Sequence, residues 1–393
     1  MKRILLVTTA FAGGGRAPWL LDDLAAEFAR AGNRVDVVVA DAKYPRPRGW
    51  YVTADEGVRV LSVGPESSSG GPLGKLLRYL RACIGLHGLG FRVTGSDYDL
   101  AIYTSIAAFT WGFPSRMRRR GRAKVLTLVY WDFFPIHQYE IGRMRVRAVR
   151  PIAKRAERAA MQRADRIAVM SPANRRFLEG YFPGLSAEID IVPPWSSSSE
   201  VMPDPGKWES DELEVIFGGQ LVKGRGLETL IAAASILNAN DNGGIRIQIA
   251  GSGSEEESLR SLATGLSNVQ FFGQLSREDY RNMLATAHLG VAITVPGVSP
   301  PTFPSKIGEY AGAELPVLVA VEQSSDAGAV VERYDAGYAV PAGEPDALAE
   351  VLRRAREEFV SGELRRKAAN ARYLWKKELS VSRAAASLLG PIE

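Results

Sequence analysis

At 393 residues the chain exceeds what one hydrophobic core usually serves, and 46% apolar with 24% charged residues excludes disordered and collagen-like classes. The single cysteine, Cys83, excludes an intrachain disulfide, fits a reducing compartment, and reads better as a small buried apolar residue than as a nucleophile. The net charge of +5 is gathered in two runs, Arg116, Arg118, Arg119, Arg120, Arg122 and Lys124, then Arg143, Arg145, Arg147, Arg150, Lys154, Arg155 and Arg158, which suit either an anionic partner or a solvated helix face.

The opening MKRILLVTTAFAGGG has the charge of a leader peptide, but its apolar stretch, Ile4 to Thr9, is too short for one and reads as a buried strand ending in a glycine loop. A helical pattern through Trp19, Leu20, Leu24, Phe28 and Ala31 stops at Gly32, and the apolar run Arg34 to Ala40 follows. Strand, glycine loop, helix and strand make a βαβ unit, which demands a parallel sheet covered on both faces. Further buried strands are expected at Val58 to Val63, Leu100 to Tyr103, Val125 to Val129 and Arg166 to Met170.

Between them, Leu73 to Arg92 sets leucines on one face and Lys75, Arg78 and Arg81 on another. That pattern fits a core-facing helix with a solvated side, or a segment lying on an anionic bilayer. No apolar run approaches the length of a transmembrane helix.

Pro193, Pro194, Ser196 to Ser199, Pro203 and Pro205 break both helix and strand, placing an interdomain linker within Ile191 to Trp208. The pattern then restarts with strands at Glu214 to Phe217, Arg246 to Ala250, Val269 to Phe272, Leu289 to Ile293 and Pro316 to Val321. The helices between them are expected at Leu227 to Leu237, Glu255 to Ala263, Glu278 to Ala287 and Ser305 to Ala313. A last helix from about Leu364 breaks near Lys376 to Ser380 before an apolar segment to Leu389. The expected architecture is α/β, with two Rossmann-like doubly wound domains, 1–195 and 196–376, and a C-terminal helix, about 377–393, that is a candidate to pack back on the first.

Three segments in the second half carry chemistry. GGQLVKGRG, Gly218 to Gly226, joins a strand to a helix; its glycines let backbone N–H groups approach an anion, and Lys223 and Arg225 can neutralise phosphate, or it is a plain glycine-rich turn with exposed cations. Its spacing is that of neither the dinucleotide fingerprint nor the Walker loop. IAGSGSEEESL, Ile249 to Leu259, repeats the strand, turn and helix arrangement, with Gly251 and Gly253 allowing close approach of a flat ring or ribose. In FPSKIGEYAGAELPVLVA, Phe303 to Ala320, Pro304 and Ser305 open a helix whose N–H groups at Ser305, Lys306 and Ile307 can face a diphosphate, with Glu309 one turn on in reach of ribose hydroxyls; the plain alternative is a capped helix start with a surface glutamate.

Taken in order, GGQLVKGRG, IAGSGS, NVQFFGQLSREDY and PSKIGEYAGAELPVLVA resemble the donor half of the retaining glycosyltransferases of family 4, which share the GT-B fold. The resemblance covers Glu214 to Pro341 well and the N-terminal half more loosely, through the loop holding Gly14. It implies two Rossmann-like domains facing a cleft, a UDP- or GDP-linked sugar as co-substrate, and neither metal nor other cofactor. By position, Arg225 matches the diphosphate-binding lysine and Gln220 stands where an arginine usually helps, with Lys223 placed to compensate. Gly251, Ser252 and Gly253, with Phe272, Gly273 and Leu275, match the base pocket, and Glu309 the ribose ligand.

The glutamate expected eight residues before Glu309 is Pro301, so Thr302 and nearby backbone amides, together with Pro304, Ser305 and Lys306, are expected to meet the sugar and diphosphate instead. A branch acting on lipid-linked or cell-surface glycans shows the same departure.

In the first half, VYWDFFPIHQYEIGR, Val129 to Arg143, follows a strand and brings Asp132 and His137 to the carboxyl end of the sheet. The resemblance makes them the catalytic candidates; the alternative is a packed histidine and a turn-forming aspartate. His87 and His288 read as structural. The expected function is transfer of a sugar to a hydroxyl of a lipid-linked or polysaccharide acceptor, in the cytoplasm, at the inner face of the membrane where the basic segments contact it. A nucleotide-sugar epimerase and a degenerate nucleotide-sugar-binding subunit are the other readings.

Overall fold

The computed structural model describes residues 1–12, 19–41, 47–53, 57–64, 71–91, 97–104, 112–133, 135–142, 150–197, 201–239 and 244–390. The chain forms two units: Met1–Gln138, Met144–Pro193 and Val381–Glu393 make the first, and Tyr139–Arg143 with Pro194–Ser380 the second.

The first unit is built on an eight-stranded sheet of β1 (Arg3–Thr8), β2 (Arg34–Val39), β3 (Gly49–Val52), β4 (Val58–Ser62), β5 (Tyr98–Thr104), β6 (Ala123–Tyr130), β7 (Arg166–Val169) and β8 (Glu188–Ile191), in the order β3-β4-β2-β1-β5-β6-β7-β8. Every pairing is parallel except that of β3 with β4. Its helices are α1 (Leu20–Arg30), α2 (Gly71–Gly85), α3 (Gly112–Arg119), α4 (Ile136–Glu140), which runs across the boundary between the units, α5 (Arg150–Met161) and α6 (Pro172–Tyr181). The central strands β1, β2, β5 and β6 are buried almost throughout, because helices cover both faces of a parallel sheet. The edge strands β3 and β8 are half-exposed, so they lack the continuous apolar run that reveals the others.

The second unit repeats the plan with β9 (Leu213–Gly218), α7 (Leu227–Ala239), β10 (Ile245–Ala250), α8 (Glu256–Leu262), β11 (Val269–Gly273), α9 (Arg277–Thr286), β12 (Leu289–Ile293), α10 (Lys306–Gly312), β13 (Val317–Val321), α11 (Ala327–Arg333), β14 (Gly337–Pro341), α12 (Pro345–Ser361) and α13 (Glu363–Leu374). Its six strands run parallel in the order β11-β10-β9-β12-β13-β14. After a π-helical turn at Trp375–Leu379, α14 (Val381–Leu389) belongs to the first unit. There the Arg166 guanidinium donates to the carbonyls of Leu388 at 3.0 Å and Ser387 at 3.1 Å and pairs with Asp190 at 2.8 Å. A cation at a helix C-terminus satisfies carbonyls that the helix cannot.

Two expectations change here. On α2 Ala82 and Gly85, continuing to Leu86, are buried, while Leu77, Leu80 and Ile84 are 40%, 48% and 71% exposed, so these three apolar side chains do not face the core. The first basic run is largely engaged within its own unit: Arg116 donates to the His87 carbonyl at 2.7 Å, Arg122 to that of Phe91 at 2.8 Å, Lys124 pairs with Asp99 at 2.8 Å and Arg118 with Asp165. In the second run, Arg143, Arg145 and Arg147 lie outside the described residues. Among the described residues no helix is long and apolar enough to cross a membrane.

Candidate functional site

In the second unit β9 lies at the centre of the sheet. The chain steps from it to β10 and β11 on one side, then returns to place β12, β13 and β14 on the other. Loops leaving β9 and β12 therefore turn apart, and a crevice outside their carboxyl ends is where doubly wound sheets bind ligands. The three motif segments follow β9, β10 and β12 and so meet at this one edge.

Their glycines are explained first by one another. Gly219 N–H donates to the Ala250 carbonyl at 2.8 Å, Leu221 N–H to Ser252 at 2.9 Å, and Gly251 N–H to Gly273 at 2.7 Å, zipping the loops after β9, β10 and β11 together. A Cβ on Gly251, where φ is +141°, would lie 1.7 Å from the Gly219 oxygen, and one on Gly253 would lie 2.1 Å from that of Leu221. At these two glycines the close approach that the structure shows is to the neighbouring loop's backbone. Ser252 donates to the Gln274 side chain at 2.7 Å, and Phe272 and Leu275 are half-buried beside Gly273. Gln220, Lys223 and Arg225 are exposed on the outer turn of the first loop, which Gly226 closes against the Thr294 carbonyl at the end of β12.

Glu309 sits in a hydrogen-bonded series that sequence reasoning did not foresee. Lys306 Nζ holds its carboxylate at 2.7 Å, and the Tyr280 hydroxyl donates to the same oxygen at 3.3 Å. Tyr280 also contacts the Tyr310 hydroxyl, which accepts the Gly218 N–H at 3.0 Å. Burial first, then the neighbouring Tyr310 and Glu309, pushes the Tyr280 hydroxyl well above the usual tyrosine range, so it stays protonated. Side chains a third or less exposed at Lys306 and Glu309 leave the carboxylate reachable but oriented.

At α10 two expectations need correction. Ile307 N–H is engaged by the Pro304 carbonyl at 3.1 Å, so it does not face an anion, and Ser305 makes no side-chain cap. Thr302 is turned inward: its N–H and hydroxyl both donate to Glu322, at 2.5 and 3.0 Å. Pro304 is half-buried and Ser305 exposed at the helix start.

In the first unit Asp132 is exposed in the turn after β6, and His137 is half-buried on α4, its N–H bonded to the Phe133 carbonyl at 3.0 Å. Nearby, Asp22 in the first turn of α1 accepts N–H bonds from Ala12 at 2.7 Å and Trp19 at 2.8 Å, tying down both flanks of the glycine loop. Burial raises the Asp22 carboxyl above its ordinary range. Trp19 packs edge-on to Trp131 with ring centroids 5.2 Å apart. Gly14 lies outside the described residues. His288 is a structural histidine: its Nδ1 accepts the Glu214 N–H at 2.8 Å, its Nε2 meets the Lys207 carbonyl at 2.5 Å, and burial pushes it down to about 4. His87 packs on Phe113, and burial lowers its pKa. Burial pushes the Cys83 thiol up, away from nucleophilic use.

A family model described as Glycosyl transferases group 1 matches residues 212–358, and one described as Glycosyl transferase 4-like domain matches residues 19–195. No curated protein matches this sequence. Sucrose-phosphate synthase from Thermosynechococcus elongatus is similar in structure, with a TM-score of 0.75 at 17% identity over 98% of this chain and 96% of that one. An α,α-trehalose-phosphate synthase (UDP-forming) from Burkholderia xenovorans, in complex with glucose-6-phosphate, gives 0.70 at 12% identity over 97% and 98%. Anabaena Alr3699/HepE in complex with UDP and glucose gives 0.65 at 17% over 98% and 97%. At such identities the structural likeness speaks for the fold, and the two family models speak for the kinship of each half. The chain belongs to the family 4 glycosyltransferases, nucleotide-sugar enzymes of the GT-B fold.

Proposed function

We propose that the chain moves a sugar from a UDP- or GDP-linked donor to a hydroxyl of a lipid-linked or polysaccharide acceptor, with retention at the anomeric carbon and without a metal ion or further cofactor. The observation that carries this reading is the gathering, at one edge of the second unit's sheet, of Lys223 and Arg225 after β9 with the Glu309 carboxylate that Lys306 and Tyr280 orient. Diphosphate departure concentrates negative charge on the leaving group, so cations and N–H groups fixed in place before reaction lower the barrier electrostatically. Lys223, Arg225 and the start of α10 fill that role, Glu309 takes the ribose hydroxyls, and the leaving diphosphate accepts the acceptor's proton. His137, with Asp132, contacts the transferred sugar from the first unit. Contact with an anionic membrane surface is supported by the exposed Leu77, Leu80 and Ile84 of α2 beside Arg81.

The test is a thermal-shift screen of UDP-glucose, UDP-N-acetylglucosamine and GDP-mannose, followed by transfer assays with the best donor. We expect one of them to stabilise the protein, chelator to leave transfer unchanged, and the product to keep the donor's anomeric configuration by NMR. No stabilisation by any nucleotide sugar would refute the donor site, an inverted product the retaining chemistry, and a changed hexosamine formed from donor alone would favour the epimerase.

A further inference from the structure

Between β12 and α10 the chain crosses the carboxyl edge of the second sheet as residues 294–305, a stretch with Pro296, Gly297, Pro300, Pro301 and Pro304. Prolines supply no N–H, so beyond the Thr294 N–H, which still reaches the Ala320 carbonyl at 2.9 Å, neither helix nor ladder can hold this loop. Its middle is tied at Ser299, whose N–H and hydroxyl donate to Glu140 at 2.7 and 2.8 Å, and its two ends are held from β13. Glu322, the residue after that strand, is 4% exposed, and its carboxylate accepts hydrogen bonds from the Thr294 hydroxyl at 2.8 Å and from the Thr302 N–H and hydroxyl at 2.5 and 3.0 Å. The next residues add to the grip: Ser324 donates to the Val298 carbonyl at 3.2 Å and Ser325 to that of Thr302 at 2.5 Å.

Among the described residues no lysine, arginine or histidine pairs with Glu322. Burying a carboxylate away from any cation is costly, and neutral donors offset the cost only when several converge. The three that converge here come from the first residue of the loop and from the residue two before Pro304, so one charge clamps both ends of the segment. Charge-assisted hydrogen bonds are the shorter and stronger kind, suited to fixing a backbone that lacks its own ladder.

We propose that Glu322 is a positioning residue for the donor sugar, holding the 294–305 loop in the shape on which the transferred sugar rests. It acts through Thr294 and Thr302, and so does from behind the loop what a carboxylate at the position of Pro301 would do by contact. This inference rests on the donor-site reading above, and its test separates the two.

Glu322→Gln, Glu322→Ala and Thr302→Val are compared with the unaltered protein, using UDP as the nucleotide probe and, as the sugar probe, whichever nucleotide sugar stabilises the unaltered protein most. In Glu322→Gln the amide oxygen can still accept the two hydroxyls, but its NH2 group faces the Thr302 N–H, so the backbone tie is lost. Affinity for UDP should stay within about twofold, while kcat falls about tenfold to hundredfold, the scale of a small misplacement, and the extra affinity that the sugar confers is lost. Thr302→Val should reproduce part of this, and Thr302→Val with Glu322→Gln should cost less than the two single changes combined. If the variants lower only Tm, with kcat, KM and the sugar's contribution unchanged, Glu322 is a structural brace and the inference fails. Loss of UDP and nucleotide-sugar binding in parallel also overturns it. Should Glu322→Ala not fold, the other two variants decide. An unaltered protein that binds UDP but no nucleotide sugar would sink this inference and leave the nucleotide site; one that binds neither would sink the donor-site reading itself.

Discussion

At the carboxyl edge of the second sheet polar groups are bonded in series: Gly218 N–H to Tyr310, Tyr280 and Lys306 to Glu309, Thr294 and Thr302 to Glu322. At the corresponding edge of the first sheet, Tyr130 ends β6 with its hydroxyl beside Glu157 of α5, whose carboxyl is 1% exposed and has that hydroxyl, not a cation, as its neighbour. Burial pushes the Glu157 carboxyl up to about 8, so it sits in the core as a neutral acid at ordinary pH. One fold plan therefore carries two electrostatic regimes. At its edge the second unit orients Glu309 and Glu322 with donors, as a site that must recognise hydroxyls requires, while the first unit's edge keeps the Glu157 carboxyl neutral by desolvation.

The largest expected effects test these regimes through stability. Gly251→Ala would push a methyl group to within 1.7 Å of the Gly219 oxygen at a φ of +141°, backbone against backbone with nothing flexible to yield. We expect more than about 4 kcal/mol of destabilisation and a collapsed second unit by calorimetry. A soluble variant with near-normal Tm would mean that the loops are not zipped as described. Glu157→Gln probes the other side. Its folded pKa lies above the unfolded value near 4.5, so its contribution is complete below that pH and is lost as pH rises through about 8. The unaltered protein should lose roughly 3 to 5 kcal/mol relative to Glu157→Gln across that window, read by denaturant titration at stepped pH. Parallel pH curves would show that burial does not raise the Glu157 carboxyl as described.

Function separates the units next. Arg225→Ala should cut transfer about 100-fold to 1000-fold and weaken UDP binding while leaving Tm unchanged, since the side chain is exposed. His137→Ala should lower kcat about tenfold to hundredfold with UDP affinity intact, as for a side chain that meets the sugar and not the nucleotide. Unchanged transfer in either variant removes that residue from the site, and equal loss of UDP binding in both would erase the division of labour between the halves.

How much of this is legible without coordinates follows from burial. Central strands such as β6 and β9 are covered on both faces, so their continuous apolar runs place them within a residue or two. Edge strands such as β3, with GWYV, and β8, with EIDI, are half-exposed and carry no such run. Glycines announce close approach but not of what: Gly251 and Gly253 face a neighbouring loop. Asp22 reads as an acidic residue in a helix's first turn, and Glu322 as a surface charge after VLVAV; their partners are 10 residues away for Ala12, and 28 and 20 for Thr294 and Thr302. The available signal for Glu322 is positional, an acidic residue directly after a buried parallel strand, at the edge where such sheets bind ligands.

The smallest expected effect is the sharpest probe of the second unit's series. Tyr280→Phe removes one hydroxyl and its bond to Glu309 at 3.3 Å, but Lys306 still holds the same oxygen at 2.7 Å. The cost should be about 1 kcal/mol of stability, and nucleotide-sugar affinity should fall less than about tenfold. Because burial keeps the Tyr280 hydroxyl protonated throughout the working range, the pH profiles of transfer should run parallel in the two proteins. A loss as deep as that of Arg225→Ala would move the task of orienting Glu309 from the lysine to the tyrosine. Diverging pH profiles would mean that the series carries a titrating group at this edge, and that the second unit, like the first, has a carboxyl whose charge is not fixed.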